Sequence, residues 1–332
     1  MNQSTPHFLQ QFEKNIRQNQ ILKSSDRFLV ACSGGPDSTA LFHLLCSMKE
    51  WKFRIVLIHF NHGLRGKLSD QDANFVKRLA KKHDIPYLSA KENVALLKHR
   101  KDSLEEAARE RRYSFFISQA KTHRIKKILL GHTQDDQAET ILMRMLQGTG
   151  MKGLCGIRRK LERQDVLIYR PLLDFRKQEL LDYLKREKLL FCRDRSNQSK
   201  RFLRNKIRLH LLPLLCRHYN PKVVEALSRI PEALAAEQEA LESFQEQAWT
   251  RVLRVKTAES ICLNREAWSR FPDAIRYRLL ERALKILDPR SGLNAGLWSQ
   301  VKLQSVKKKF AWTLPRKIEL RADRDSLSLE RS

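Results

Sequence analysis

Apolar residues fall into short runs separated by stretches of helical spacing throughout the first half of the chain. Residues 27–32 read as a strand, and 53–60 (FRIVLIHF) as a second, strongly apolar one. Residues 85–90 and 126–130 follow as a third and a fourth. Helical patterns lie between them. One runs from a glycine turn to about Met48, one opens at Ser69 with Asp72 placed for a capping box, and one opens at Ser103 with Glu106 and runs toward His123. Thr133 caps the next, whose buried stripe is predicted as Ala138, Ile141, Leu142, Met145 and Leu146. Near-continuous apolar strands between helices predict an α/β fold, a doubly wound parallel sheet covered on both faces.

After Gly150 the pattern loosens. Residues 166–169 read as one more strand, 175–188 as a helix, 193–200 as a polar loop and 201–215 as a basic helix ending near Pro213. Residues 221–249 form a long, charged helical stretch without glycine, suited to joining two domains. Residues 250–332 carry two helical patterns and then alternating segments at 318–320 and 327–329, which predict a small α+β domain. The expected division is therefore 1–215, a helical linker 216–250, and 251–332.

Composition adds a partner. The 332 residues include 65 Lys and Arg against 37 acids, a net charge of +28, and 42% are apolar. A folded protein with so basic a surface suits a polyanion, above all nucleic acid. From 151 to 217 the balance is 19 basic residues against 7 acidic. No two of the six cysteines form a C-x-x-C pair, so neither a zinc knuckle nor a cysteine-ligated cluster is suggested. With no long apolar run and no leader-like start, a reduced, cytoplasmic setting without a membrane is expected. The oligomeric state stays open, a homodimer included.

The chemistry concentrates in four places. Ser33-Gly34-Gly35-Pro36-Asp37-Ser38 lies between a strand and a helix. Two glycines allow a sharp turn and close approach of backbone to a phosphate, and the helix dipole favours the anion. Asp37 would repel phosphate unless a cation, normally Mg²⁺, lies between them. His59, His62 and Arg65 end the second strand, where open α/β sheets place ligands, although a histidine there can also simply cap a turn. Arg109, Arg112 and Tyr113 share one face of a helix. Asp135, Asp136 and Glu139 cluster in the first two turns after Gly131-His132-Thr133. Acids there are commonly dipole partners, but three together suit a Mg²⁺ or amine site. In the basic stretch, Arg201, Arg204 and Arg208 share a helix face able to neutralise backbone phosphates, with Arg195 just upstream.

The first loop lacks the Walker signature and resembles instead the SGGxDS pyrophosphate loop of the ATP-pyrophosphatase superfamily. Taken in order, SGGPDS, HFNHGLRG, ARERRY, GHTQDDQAET, RPLL and DRSNQSKRFLRNKIR resemble the tRNA(Ile)-lysidine synthetases over roughly residues 25–215. The resemblance implies an adenine nucleotide alpha hydrolase-like fold and two chemical steps. ATP adenylates the carbonyl oxygen of the wobble cytidine in a CAU anticodon of tRNA(Ile), and free L-lysine then displaces AMP. It also implies roles. Ser33, Gly34, Gly35, Pro36, Asp37, Ser38, His59, His62 and Arg65 would bind ATP, and Asp37 with Asp136 would hold Mg²⁺. Arg112 and His132 would act on the reacting groups, and Asp135 or Glu139 would bind the lysine ammonium and take its proton. Arg195, Arg201, Arg204 and Arg208 would hold tRNA, with further tRNA contacts from the C-terminal domain. A thiolase of the same superfamily and a non-catalytic RNA-binding protein remain the alternatives.

Overall fold

The computed structural model describes residues 5–63, 66–92, 104–192, 202–289, 291–305, 307, 309–314 and 316–331. The chain divides into two compact units, Met1–Leu234 and Ala235–Ser332.

The first unit is built on a six-stranded sheet. Its strands are β1 (Arg27–Ala31), β2 (Arg54–Asn61), β3 (Tyr87–Lys91), β4 (Lys127–Leu130), β5 (Lys160–Arg163) and β6 (Val166–Tyr169), in the order β3-β2-β1-β4-β6-β5. All pairs are parallel except the edge hairpin β5–β6. The helices are α1 (Thr5–Gln18), α2 (Pro36–Ser47), α3 (Lys67–Lys82), α4 (Leu104–Thr122), α5 (Gln134–Leu146), α6 (Met151–Leu154), α7 (Lys177–Arg186), α8 (Leu203–Lys206) and α9 (Leu212–His218). Alternate residues of β1 feed two cores. Phe28 and Val30 join α1, α2, α3 and α7, while Leu29 and Ala31 join Phe116, Ile117 and Ala120 of α4. This is the doubly wound parallel sheet expected from the unbroken apolar strands. The strand order reverses between β1 and β4, where Ala31 pairs with Leu130 at the carboxyl ends. That reversal is where such sheets bind ligands.

Several local expectations change. Helix α1 was not anticipated, although Phe8, Phe12 and Ile16 are spaced four apart and fully buried. Gly66, not Ser69, is the N-cap of α3, and no side chain caps it. The stripe of α5 is buried at Ala138 and Ile141, but Met145 and Leu146 are 53% and 62% exposed. Strand β5 was missed because its turn, Gln164-Asp165, lacks the usual Asn-Gly signature yet still adopts positive φ at both residues. The basic segment does not end near Pro213. It continues from α8 through a π-helical turn, Ile207–Leu211, into α9. Pro213 has no N–H and would crowd the carbonyl four residues earlier; the wider turn just before it, where the Leu212 N–H reaches the Ile207 carbonyl, accommodates it.

The long helix α10 (Val223–Val252) contains the boundary between the units. The second unit holds an antiparallel sheet in the order β7-β8-β11-β10-β9. Its strands are β7 (Leu253–Lys256), β8 (Ser260–Asn264), β9 (Phe310–Leu314), β10 (Ile318–Ala322) and β11 (Ser326–Arg331). The inward face, with Ile261, Leu263, Leu320, Leu327 and Leu329, packs on α11 (Arg265–Ser269), α12 (Asp273–Leu287) and α13 (Ala295–Ser305). This is the small α+β domain expected, with more strands than the alternation revealed. Among the described residues no helix is long and apolar enough to cross a membrane.

Candidate active site

The loop after β1 is shaped by its own polar groups. Gly34 has φ +88, a region that L side chains rarely adopt. The Ser38 hydroxyl accepts from the Ser33 N–H at 3.1 Å and donates to the Gly35 carbonyl at 3.2 Å. The Gly35 N–H in turn reaches the Ser33 hydroxyl. The N-terminus of α2 has no side-chain cap and Pro36 at its start, so its positive end stays open to an anion. Gly131, at the end of β4, completes the junction. A Cβ there would stand 3.1 Å from backbone atoms of Asp37 and Ser38, so only glycine lets β4 approach the loop this closely.

Between these ends lies a cavity of about 260 Å³. Its apolar walls include Phe60, Phe116 and Leu130, and its polar walls include Asp37, Arg112 and His132. Ser33, Gly35, Ser38 and His62 also line it. Of the expected nucleotide residues, Ser33, Gly35, Asp37, Ser38 and His62 line the cavity, and Gly34 and Pro36 belong to the same loop without lining it. Arg65 lies outside the described residues. His59 is buried and does not line the cavity, with Nδ1 2.8 Å from the Cys32 carbonyl.

Several polar atoms at this end have no partner among the described residues. They are Oδ1 of Asp37, Nε2 of His59, Nδ1 of His62 and Nδ1 of His132, all buried. Burial pushes the Asp37 carboxyl up to about 6, opposed by Lys177 and aided by Asp136. Burial, then Arg112, presses His62 down to about 4. Burial outweighs Asp136 to hold His132 near 3, so both cavity histidines are neutral at pH 7. They can exchange hydrogen bonds with a ligand but bring no charge.

The acids of α5 are arranged differently. Thr133 and Asp136 form the capping box, with the Asp136 carboxylate accepting from the Thr133 N–H at 2.9 Å. The other oxygen of Asp136 accepts from Arg204 at 3.2 Å and Arg208 at 3.3 Å. Glu139, 2% exposed, is gripped by both arginines at 2.9 and 2.5 Å. Burial opposes ionisation of Asp136, but the neighbouring His132, then Arg204, the Thr133 capping bond and Arg208, hold its carboxyl below the usual range. Asp135 accepts from Arg176 and from the Lys177 backbone N–H at 2.7 Å.

Three expectations are altered here. Arg204 and Arg208 face inward onto carboxylates rather than outward as a free phosphate-binding face. Glu139 is the buried anchor of those arginines rather than an open acceptor for an amine. Asp135 is occupied by α7. The remaining tRNA residues, Arg195 and Arg201, lie outside the described residues. The sequence reading also passed over Arg170 and Lys177. Arg170 is 2% exposed and donates to the Tyr113 hydroxyl at 3.0 Å. Over the ring of that tyrosine stand Arg109 and Arg112, at 5.5 and 6.0 Å. The advance signals for Arg170 were its place at the head of the RPLL motif and at the end of an apolar strand, but neither assigned it a role.

A cation would find a fit at Asp37, whose buried Oδ1 has no partner. The oxygens of Asp136 are already engaged. Among the described residues no group of three or more His, Cys, Asp or Glu could hold a metal on its own. One carboxylate together with phosphate oxygens and water is, however, a common Mg²⁺ arrangement.

Comparison with known proteins agrees with this geometry. Residues 5–215 match the PP-loop domain family. The chain is 36% identical over 272 residues to a tRNA(Ile)-lysidine synthase of Clostridium acetobutylicum, covering 81% of this chain and 58% of that protein. It is 41% identical over 221 residues to the tRNA(Ile)-lysidine synthase of Porphyromonas gingivalis, covering 66% and 47%. The chain thus spans about half the length of the curated relatives it matches. Among solved structures, a U34-tRNA thiolase from Methanococcus maripaludis with its [4Fe-4S] cluster shares the fold, with a TM-score of 0.54 and 17% identity over 69% of this chain and 80% of that one. A glycine loop at the sheet's switch point, an uncapped helix behind it and the family match over residues 5–215 lead to one conclusion: the chain belongs to the PP-loop domain family.

Proposed function

We propose that this protein is a tRNA(Ile)-lysidine synthetase, acting in the cytoplasm on ATP, free L-lysine and the CAU anticodon of tRNA(Ile). The observation that carries the nucleotide half is the cavity at the β1–β4 junction, with an uncapped helix N-terminus at one end and the unpartnered oxygen of Asp37 in its wall. Similarity to the lysidine synthases supports the choice of base and amine.

In this reading the adenine enters among Phe60, Phe116 and Leu130, and the β- and γ-phosphates rest on Gly34, Gly35, Ser38 and the α2 dipole. The wobble cytidine's carbonyl oxygen attacks the α-phosphorus, and pyrophosphate leaves. Asp37 would hold Mg²⁺, which when bound offsets the polyphosphate charge. Asp136 could join it only if Arg204 and Arg208 release its Oδ1. Arg112 faces the reacting phosphate, and its charge stabilises the departing anion. Neutral His132 orients the base through its free Nδ1. The neutral lysine ε-amine then attacks the base carbon that bears the adenylated oxygen, the C–O bond breaks, AMP departs, and the amine's proton passes to Asp135 or Glu139. Asp135 and Glu139 remain the acids proposed for its ammonium, each reached only by exchange with an arginine already present. Arg195, Arg201 and the second unit are proposed to hold the tRNA, since phosphate contacts position a bound RNA, and Arg204 and Arg208 join them only by leaving Asp136 and Glu139.

The test is mass analysis of the anticodon loop after incubation with ATP, lysine and a tRNA(Ile) transcript bearing CAU. One added lysine at the wobble cytidine supports the reading. Sulfur in place of oxygen, given a sulfur donor, would establish the thiolase instead, and an unchanged loop with no pyrophosphate formed would leave an RNA-binding protein.

A further inference from the structure

Lys177 is the first residue of α7, and its place is set by bonds on both sides. Its backbone N–H donates to Asp135 at 2.7 Å. The preceding Arg176 is tied to Asp135 at 3.2 Å and to Glu225 at 2.7 Å, so the start of the helix is pinned to α5 and α10. From this anchored position the side chain turns to the glycine loop, with its ammonium 3.4 Å from Oδ2 of Asp37. The side chain is 32% exposed and its pairing with Asp37 is a long one, so the ammonium can change partner at small cost.

Asp37 therefore has two cations competing for it. Its Oδ2 meets Lys177, while its buried Oδ1 has no partner and is the oxygen that fits a metal. An ammonium and a divalent cation on one carboxylate repel each other unless a further anion lies between them. The anion that fits beside this loop is a phosphate chain, because the uncapped N-terminus of α2 begins one residue before Asp37. Of the other cations near Asp37, Arg176 is held by Asp135 and Glu225, and Arg204 and Arg208 by Asp136 and Glu139, while Arg112 stands in the cavity wall.

We propose that Lys177 is a phosphate-binding residue of this site: when a divalent cation occupies Asp37, the Lys177 ammonium moves onto a non-bridging oxygen of the β- or γ-phosphate and holds the pyrophosphate as it departs. No bond to Lys177 is made or broken; the residue contributes a positive charge and up to three N–H donors to a leaving group that gains negative charge. This deepens the nucleotide reading above and rests on it.

Calorimetric titration of the full chain with pyrophosphate, with and without Mg²⁺, tests the proposal without turnover. The proteins are the wild type, Lys177→Met and Lys177→Arg, with thermal unfolding recorded for each. The expected result is Mg²⁺-dependent binding to the wild type, affinity lowered about tenfold or more in Lys177→Met, and most of it restored in Lys177→Arg, at similar unfolding temperatures. Equal affinity in the wild type and both variants would overturn the role of Lys177 while leaving the nucleotide site intact. Should Lys177→Met fold poorly, the Lys177→Arg and Lys177→Gln pair decides, since only the arginine keeps the charge: equal affinities would again overturn the proposal. Absence of binding of both pyrophosphate and ATP to the folded wild type would overturn the nucleotide reading and this proposal with it.

Discussion

The glycine loop and the start of α5 lie side by side and carry the same kinds of residue, yet their electrostatic states are opposite. At the loop, Asp37 keeps a buried oxygen without a partner and is pushed up to about 6 by burial. On α5, Asp136 and Glu139 are closed off by Arg204 and Arg208. An acidic cluster in a sequence is therefore not evidence of an open site. What marks one is polar capacity left unsatisfied beside a cavity, since buried polar groups are otherwise paired. By that criterion the loop is the candidate ligand site, while the α5 carboxylates fasten the basic segment to α5.

The comparison can be broken in order of expected effect. Glu139→Ala leaves two part-buried arginines with only the long contacts to Asp136 and should cost about 3–5 kcal/mol of stability, seen in denaturant unfolding. Mg²⁺–ATP affinity of the folded fraction should stay nearly unchanged. Asp37→Asn should do the reverse, cutting ATP-dependent pyrophosphate release by roughly a hundredfold or more while stability holds or rises. If Asp37→Asn unfolded the protein and Glu139→Ala left it stable, the two assignments would be the wrong way round.

A smaller effect probes the junction between the two regions. Gly131→Ala places a methyl 3.1 Å from the backbone of Asp37 and Ser38 and should cost about 1–3 kcal/mol with weakened ATP binding. Smallest is the pH effect. With the Asp37 carboxyl raised to about 6, the proton-bound form prevails below that pH and the charged form above it. Mg²⁺-dependent ATP affinity should hold above pH 7 and fall as pH drops through 6, by up to about tenfold per unit. Asp37→Asn should lack that slope.

Much of this was legible in the sequence, and the rest was hidden for physical reasons. The loop, the Thr133 cap and the five parallel strands announce themselves through local signals: glycines, a hydroxyl three residues before an acid, and apolar runs. Their meeting at the β1–β4 reversal follows from the strand order. The partners of the acids were hidden, because Arg176 reaches Asp135 across 41 residues and Arg208 reaches Glu139 across 69. Charge spacing on one helix says which residues share a face, not whether that face meets solvent or another charge. Arg170 was overlooked because an arginine is rarely a core residue. The second unit had no motif, only alternation, which revealed β10 and β11 but not β7, β8 and β9.

The central claim is that a nucleotide's phosphates sit on the loop after β1. The crystal structure of the protein with Mg²⁺ and α,β-methylene ATP tests it most directly. The account predicts the terminal phosphates on Gly34, Gly35 and Ser38, with a cation on Asp37 and the adenine among Phe60, Phe116 and Leu130. A nucleotide bound elsewhere, with the loop closed on its own side chains, would contradict it.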